Sequence, residues 1–310
     1  MLNSAYDEEN ARKLTPAMPV RIDAHQHFWR YQPEEYGWIG DDMAGLRRDF
    51  LPEDLKPLAE GAGVCATVAV QARCSLKETC WLLELAQANP LIQAVVGWVD
   101  LCDPRVRPRL AELARNPRLR GLRHTLQDEP DDRFMLREDF RAGLRQLAAF
   151  NLSYDLLIHR RHLPIACELV ARFPGQRFIV DHLAKPAVRS GTRQPWARDL
   201  ARLARYPNVA AKVSGLVTEA DWTQWRAGDF DFYFETALET FGPKRLMIGS
   251  DWPVCTVAGD YEKVLQLAGN YMQRLSEPEQ AMIWGGTAGQ WYGLQPKTFH
   301  DGAGTLSAAQ

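Results

Sequence analysis

Leu246-Met247-Ile248-Gly249-Ser250-Asp251-Trp252-Pro253 is an apolar run of strand length that ends in a carboxylate. The same pattern recurs at Phe178-Ile179-Val180-Asp181-His182 and, ending in histidines, at Ile22-Asp23-Ala24-His25-Gln26-His27. Short β-rich runs of this kind occupy residues 20–28, 66–71, 93–100, 119–125, 153–159, 177–182, 209–214 and 245–251. Helix-period stretches separate them, which is the signature of βα units and a parallel sheet. Eight units close a (β/α)8 TIM barrel, an α/β fold whose chemistry gathers where the strands end.

The intervening segments carry helix signals. Ser75 with Glu78 spells a capping box, and Asp103-Pro104 an N-cap followed by proline. Leu163, Ala166, Leu169 and Val170 fall on one helical face, as do Phe230, Phe234, Ala237, Leu238 and Phe241. After the last strand we expect a helix over 260–275 and another capped by Ser276 with Glu279. The longest connection, residues 29–51, is long enough to suggest an active-site loop. Residues 1–18 read as a flexible leader, 19–296 as one barrel domain and 297–310 as a flexible tail.

Composition narrows the function classes. The 310 residues are 46% hydrophobic, with 10 Trp and 12 Phe, enough for a large core. Thirty-seven basic against 39 acidic residues leave a net charge of −2, so no excess field would hold nucleic acid. No apolar run has the roughly 18 residues of a membrane span, and no secretory pattern opens the chain. A cytoplasmic protein acting on a small molecule is the expectation, and a homo-oligomer is compatible with it. Cys65, Cys74, Cys80, Cys102, Cys167 and Cys255 show no C-x-x-C spacing and read as reduced thiols.

His25 and His27, two residues apart on a strand, face the same side and form a pincer for a metal ion or an electrophile. A pair of hydrogen-bonded surface histidines would look the same in isolation. Two further strand ends decide between these readings. Asp251 closes strand eight, the neighbour of strand one in a closed barrel, and His182 closes strand six. Three strand ends that bring His, His and Asp to one rim make a catalytic mouth.

These residues carry a family resemblance. His25-Gln26-His27, Gly121-Leu122-Arg123-His124, Asp181-His182-Leu183-Ala184-Lys185-Pro186 and Gly249-Ser250-Asp251-Trp252-Pro253 resemble the amidohydrolase-2 group of the amidohydrolase superfamily. Residues 48–55 and Trp291-Tyr292-Gly293-Leu294 bring the chain nearest to L-fuconolactonase and L-rhamnonolactonase-like sugar lactonases. The resemblance spans residues 20–294 and implies hydrolysis of an aldonolactone to the aldonic acid. It makes Asp251 the general base and acid, and His25, His27 and Asp251 the ligands of one divalent ion, zinc. His182 becomes a further ligand or hydrogen-bond donor. Some relatives hold that zinc and others act without metal. A bridged two-metal site needs a lysine on strand four, where this chain has Arg123 and His124.

The alternatives are a hydrolase or decarboxylase for another carboxylated ring compound, and a catalytically silent sugar-binding protein. Candidate substrate contacts are Trp29, Gln71, Arg123, His124, Lys185 and Trp252, with Trp38 and Trp98 as further aromatic faces. Alternation sends one of Arg123 and His124 into the mouth and the other toward the helices. Lys212 and Ser214 share one face of strand seven. His159 closes strand five and is either a ligand or part of the basic loop Arg160-Arg161-His162.

Overall fold

The computed structural model describes residues 20–294, so the expected leader and tail lie outside the described residues. Eight parallel strands pair in sequence order: β1 (Arg21–Gln26), β2 (Val64–Val70), β3 (Ile92–Gly97), β4 (Leu119–His124), β5 (Ser153–Leu156), β6 (Phe178–Val180), β7 (Val209–Val213) and β8 (Leu246–Ile248). Each is followed by the helix of the same number. These are α1 (Pro52–Gly61), α2 (Leu76–Ala88), α3 (Val106–Leu113), α4 (Glu138–Leu144), α5 (Leu163–Ala171), α6 (Trp196–Leu203), α7 (Asp231–Phe241) and α8 (Tyr261–Met272). The ring closes just past the end of β8, where Asp251 N–H donates to His25 O at 2.8 Å and His27 N–H to Trp252 O at 2.7 Å. No helix among the described residues is long and apolar enough to cross a membrane.

Several strands stop sooner than the apolar runs suggest. The expected run 177–182 ends at Val180, and 245–251 at Ile248. Beyond β6, His182, Leu183, Ala184 and Lys185 have φ of 54°, 50°, 59° and 54°, and beyond β8 Asp251 has φ 59°. Left-handed backbone cannot continue a strand, so these chemical groups sit on the first loop residues after it.

Outward-facing strand residues such as Tyr154, Phe178 and Val180 pack beneath the helices. Inside the barrel, Ile22, Ala66, Val68, Ala94, Ile179, Ala210 and Met247 form an apolar floor. Two short helices, α9 (Glu277–Ala281) and α10 (Thr287–Tyr292), follow α8, and α10 adds Ala288 and Tyr292 to that floor. The 29–51 connection is packed rather than open. Trp29 and Phe50 exchange backbone hydrogen bonds at 3.0 and 2.9 Å, and their rings meet edge-on at 5.2 Å.

The caps differ in part from expectation. Ser276 and Glu279 form the reciprocal box. Asp103 instead accepts from Arg105 N–H at 2.8 Å, in a turn that delays α3 to Val106. Ser75 Oγ accepts from Glu78 N–H at 3.3 Å, but the Glu78 carboxylate turns elsewhere. It accepts the Ala72 and Arg73 backbone N–H groups at 3.1 Å each and the Tyr36 hydroxyl at 3.4 Å, pinning the β2–α2 loop.

Burial pushes the Glu78 carboxyl from 4.5 up to about 7, against the hydrogen bonds and positive charges that favour its ionised form. The folded chain therefore holds a proton that the unfolded chain has lost. This contribution to stability is complete below about 4.5 and disappears as pH rises through about 7. In Glu78→Gln the amide oxygen can still accept both backbone N–H groups. We expect the fall in stability between pH 4.5 and 7 to be smaller in this variant by on the order of 3 kcal/mol. Urea unfolding at a series of pH values measures it, and identical profiles for the two proteins would refute the assignment.

Candidate active site

Strict alternation along β1 would point His25 away from the mouth, because Ile22 and Ala24 already face inward. A register slip corrects this. Asp23 pairs with Thr67 and Gln26 with Ala69, so β1 spends three steps where β2 spends two. This bulge turns both His25 and His27 inward and sends Gln26 outward, where its Nε2 donates to Thr67 Oγ1 at 3.1 Å. Gly249, just past the end of β8, leaves the space. A Cβ there would stand 2.7 Å from His25 Cβ.

The two imidazoles converge, with Nε2 of His25 and of His27 3.2 Å apart. Asp251 Oδ1 lies 3.3 Å from His27 Nε2, 3.7 Å from His25 Nε2 and 3.9 Å from His182 Nε2. His27 Nδ1 is 2.8 Å from Val70 O. A carbonyl only accepts, so Nδ1 carries the proton and Nε2 offers a lone pair. His182 Nδ1 pairs with Ser214 Oγ at 2.9 Å, and its ring centre lies 4.4 Å from that of His25.

Below this cluster is a layer of buried charge. Arg123 Nη1 donates to Asp181 Oδ2 at 2.9 Å. Lys212 Nζ lies 2.6 Å from Asp155 Oδ2 and 3.0 Å from Asp181 Oδ1. The Tyr292 hydroxyl rises from α10 to donate to Asp155 Oδ2 at 2.6 Å. Two cations thus balance two carboxylates.

The electrostatics fix the protonation states. Burial would raise the Asp251 carboxyl, but His182, His27 and His25 together hold it well below the usual carboxylate range. Burial lowers His182 to about 4, with Lys185 and Arg123 lowering it further and Asp251 and Asp181 opposing. Burial and then Lys212 hold His25 well below its ordinary value. Near neutral pH the mouth therefore presents the ionised Asp251 carboxylate beside neutral His25 and His182.

The donor set fits one small divalent ion. Ligands at the zinc distances of about 2.0–2.1 Å in a tetrahedron stand roughly 3.4 Å apart. The His25, His27 and Asp251 separations of 3.2, 3.3 and 3.7 Å bracket that edge length. His25, Asp181 and His182 form a second overlapping group of candidate ligands.

Comparison with known proteins accords with this geometry. The Amidohydrolase family model matches residues 22–294. The chain belongs to the amidohydrolase family. It is 45% identical over 286 residues to L-fucono-1,5-lactonase of Burkholderia multivorans, covering 89% of this chain and 96% of that one. L-fucono-1,5-lactonase of Burkholderia ambifaria is 37% identical, with coverage of 89% and 96%. The solved structure of an amidohydrolase from Burkholderia multivorans with bound zinc is 44% identical, with a TM-score of 0.86 over 89% of this chain and all of that one.

The structure of this amidohydrolase brings His25, His27, His182 and Asp251 together and distributes the other candidates differently. Arg123 points inward, with Asp181 and with both the carbonyl and the side chain of Gln71 as partners, so Gln71 orients Arg123. His124 turns outward. It stacks on Phe134 at 5.1 Å, accepts from Trp98 Nε1 at 3.0 Å and lies 2.6 Å from Glu129, outside the His–Asp cluster.

Trp29 is not a substrate face. It is fully buried, and its indole N–H is directed at the Leu46 and Arg48 carbonyls. Trp252 is 2% exposed and packs against Phe28 and Phe50, because the residue after Asp251 points away from the mouth. Trp38 is exposed beside Trp29. Lys185 is half-buried at the end of the left-handed turn. His159 belongs to neither group of candidate ligands; its backbone N–H is given to His162 Nδ1 at 3.2 Å.

Sequence reasoning missed the roles of Asp155, Asp181, Lys212 and Tyr292. The available signal was a single charge inside an apolar strand, as in Val209-Ala210-Ala211-Lys212-Val213. Gly215 was also missed. At φ 61°, a Cβ there would overlap His182 Nδ1 and stand 3.0 Å from Asp251 Oδ2.

Gly215→Ala should therefore displace His182 and lower kcat/KM by about a hundredfold, the scale of an ångström's misplacement, while the fold persists. Turnover kinetics alongside circular dichroism tests this; parental activity would mean His182 can yield without consequence. His124→Gln, altered outside the cluster, should retain turnover close to that of the parent.

Proposed function

We propose that this amidohydrolase hydrolyses a sugar lactone, of the L-fucono-1,5-lactone type, to the open aldonic acid. One observation carries the chemistry: a single buried carboxylate oxygen, Asp251 Oδ1, stands within 3.9 Å of three imidazole Nε2 atoms at the barrel mouth. The names of the Burkholderia relatives supply the substrate class.

In this reading Asp251 accepts a proton from a water that attacks the lactone carbonyl carbon. The π electrons of the carbonyl move to oxygen, and a neutral imidazole N–H of the cluster donates to that oxyanion. When the tetrahedral intermediate collapses, the ring C–O bond breaks and Asp251 returns its proton to the departing hydroxyl oxygen. Arg123 and Asp181, locked together at 2.9 Å, keep the floor rigid while charge moves above it. His25, His27 and Asp251 would hold the zinc ion, which when bound supplies a Lewis acid and a more acidic water. We place the enzyme in the cytoplasm, where six free thiols stay reduced.

A pH-indicator screen of aldonolactones of L-fuco, L-rhamno, D-arabino and galacto configuration tests the reading. We expect L-fucono-lactone among the best substrates, and Asp251→Asn to lose about 2 to 4 decades of kcat. Inactivity toward the whole panel would reject the substrate class. Near-parental turnover of Asp251→Asn would reject the base.

A further inference from the structure

His25 has a neighbour that the proposed reaction does not use. Lys212 Nζ lies 3.1 Å from His25 Nδ1, fully buried, with Asp155 Oδ2 and Asp181 Oδ1 as its other partners at 2.6 and 3.0 Å. A lysine ammonium carries only donors, and here its hydrogen bonds go to Asp155 Oδ2 and His25 Nδ1, with Asp181 Oδ1 as an ion-pair neighbour. The contact to His25 is a hydrogen bond only if Nδ1 offers its lone pair. The contacts that favour the other tautomer, Arg123 Nη1 to Nε2 and Asp181 Oδ1 to Nδ1, are both longer at 3.4 Å, so the shorter pair of contacts places the ring proton on Nε2.

His27 is set in the opposite sense, since its Nδ1–H is spent on Val70 O at 2.8 Å and its Nε2 is a lone pair. The 3.2 Å contact between the two Nε2 atoms thus has one donor and one acceptor. Protons run in a single direction, from Lys212 to His25, from His25 to His27, and from His27 to Val70 O.

We propose that Lys212 is a positioning residue that holds His25 as the Nε2–H tautomer, making it a hydrogen-bond donor at the mouth and restraining metal binding. The proposal rests on the reading of this site as a hydrolase mouth. It follows that His25 offers its N–H to a lactone carbonyl oxygen that comes within reach in place of His27. A metal needs lone pairs on both Nε2 atoms. To ligate, His25 must move its proton to Nδ1, where Asp181 Oδ1 lies at 3.4 Å, and Lys212 gives up its hydrogen bond to that nitrogen.

The test is read without substrate, so its failure is separable from failure of the lactonase reading. Nitrogen-15 NMR of the metal-free protein, with the His25 signal assigned by its loss in His25→Gln, reports the tautomer. Nε2–H is expected before zinc is added and Nδ1–H after; Nδ1–H in the metal-free protein would overturn the proposal. Zinc affinity, by competition with a chromogenic chelator, is the second readout. The double variant K212M/D155N removes one charge of each sign, so no unpaired lysine or carboxylate partner is left from that pair. It should bind zinc about tenfold more tightly than the parent, the factor one net hydrogen bond represents. D155N alone keeps the lysine donor and should show no such gain. Unchanged or weaker zinc binding in the double variant, or an equal gain in D155N alone, would overturn the role assigned to Lys212.

Discussion

The backbone hydrogen bond from Asp251 N–H to His25 O, 2.8 Å long, closes the barrel and assembles its chemistry in one contact. A ring of eight strands has to join its last member to its first, and here the joining residues are Asp251 and His25. The carboxylate therefore cannot drift from the histidines without opening the barrel. Asp23 strengthens the seam, accepting from Ser250 N–H at 2.9 Å and Ser250 Oγ at 2.6 Å. Gly249 lets the two strands approach at the level of His25.

Below the seam lies the buried charge layer, and its energetics differ from those of an apolar core. Desolvating two cations and two carboxylates is costly, and their attraction repays this only when each charge has close partners. Here Asp155 is held by Lys212 and Tyr292, and Asp181 by Lys212 and Arg123, at 2.6 to 3.0 Å. Losing one member would strand the others, a penalty of about 3–5 kcal/mol. An apolar layer of equal volume could be as stable, but it could not orient the underside of His25. The layer thus trades solvation for direction, which a reaction with moving protons requires.

The architecture was legible because an apolar run ending in a polar residue repeats eight times, and that pattern depends only on burial and strand length. The rim residues His25, His27, His182 and Asp251 were legible for the same reason: they end those runs. The bulge was not. Period-two reasoning groups His25 with His27, but an extra residue in β1 is what turns the pair inward, and no local composition marks it. The aromatic candidates failed differently. Trp29 and Trp252 look like mouth residues by position, yet each is fully or almost fully buried among other rings. Lys212 and Asp155 are visible as charges in apolar strands, but 57 residues separate them. Their pairing exists only once β5 and β7 are curved into one ring.

The left-handed turn after β6 shows how the fold holds an unfavourable backbone where the site needs it. Four consecutive non-glycine residues with positive φ oppose the chirality of the chain, at about 1–2 kcal/mol each. Leu183 and Ala184 offset part of this by complete burial, and Trp196 Nε1 of α6 donates to Leu183 O at 2.7 Å, clamping the turn from outside. Ser214, the residue after β7, engages His182 at 2.9 Å, while Gly215 clears the space beside it. A relaxed strand would carry His182 along the barrel wall. Reversing the backbone hand after β6 instead brings its ring centre within 4.4 Å of that of His25. Packing that secures this turn is therefore packing that aims an imidazole, and stability of the α6 side of the barrel and geometry of the mouth cannot be varied independently.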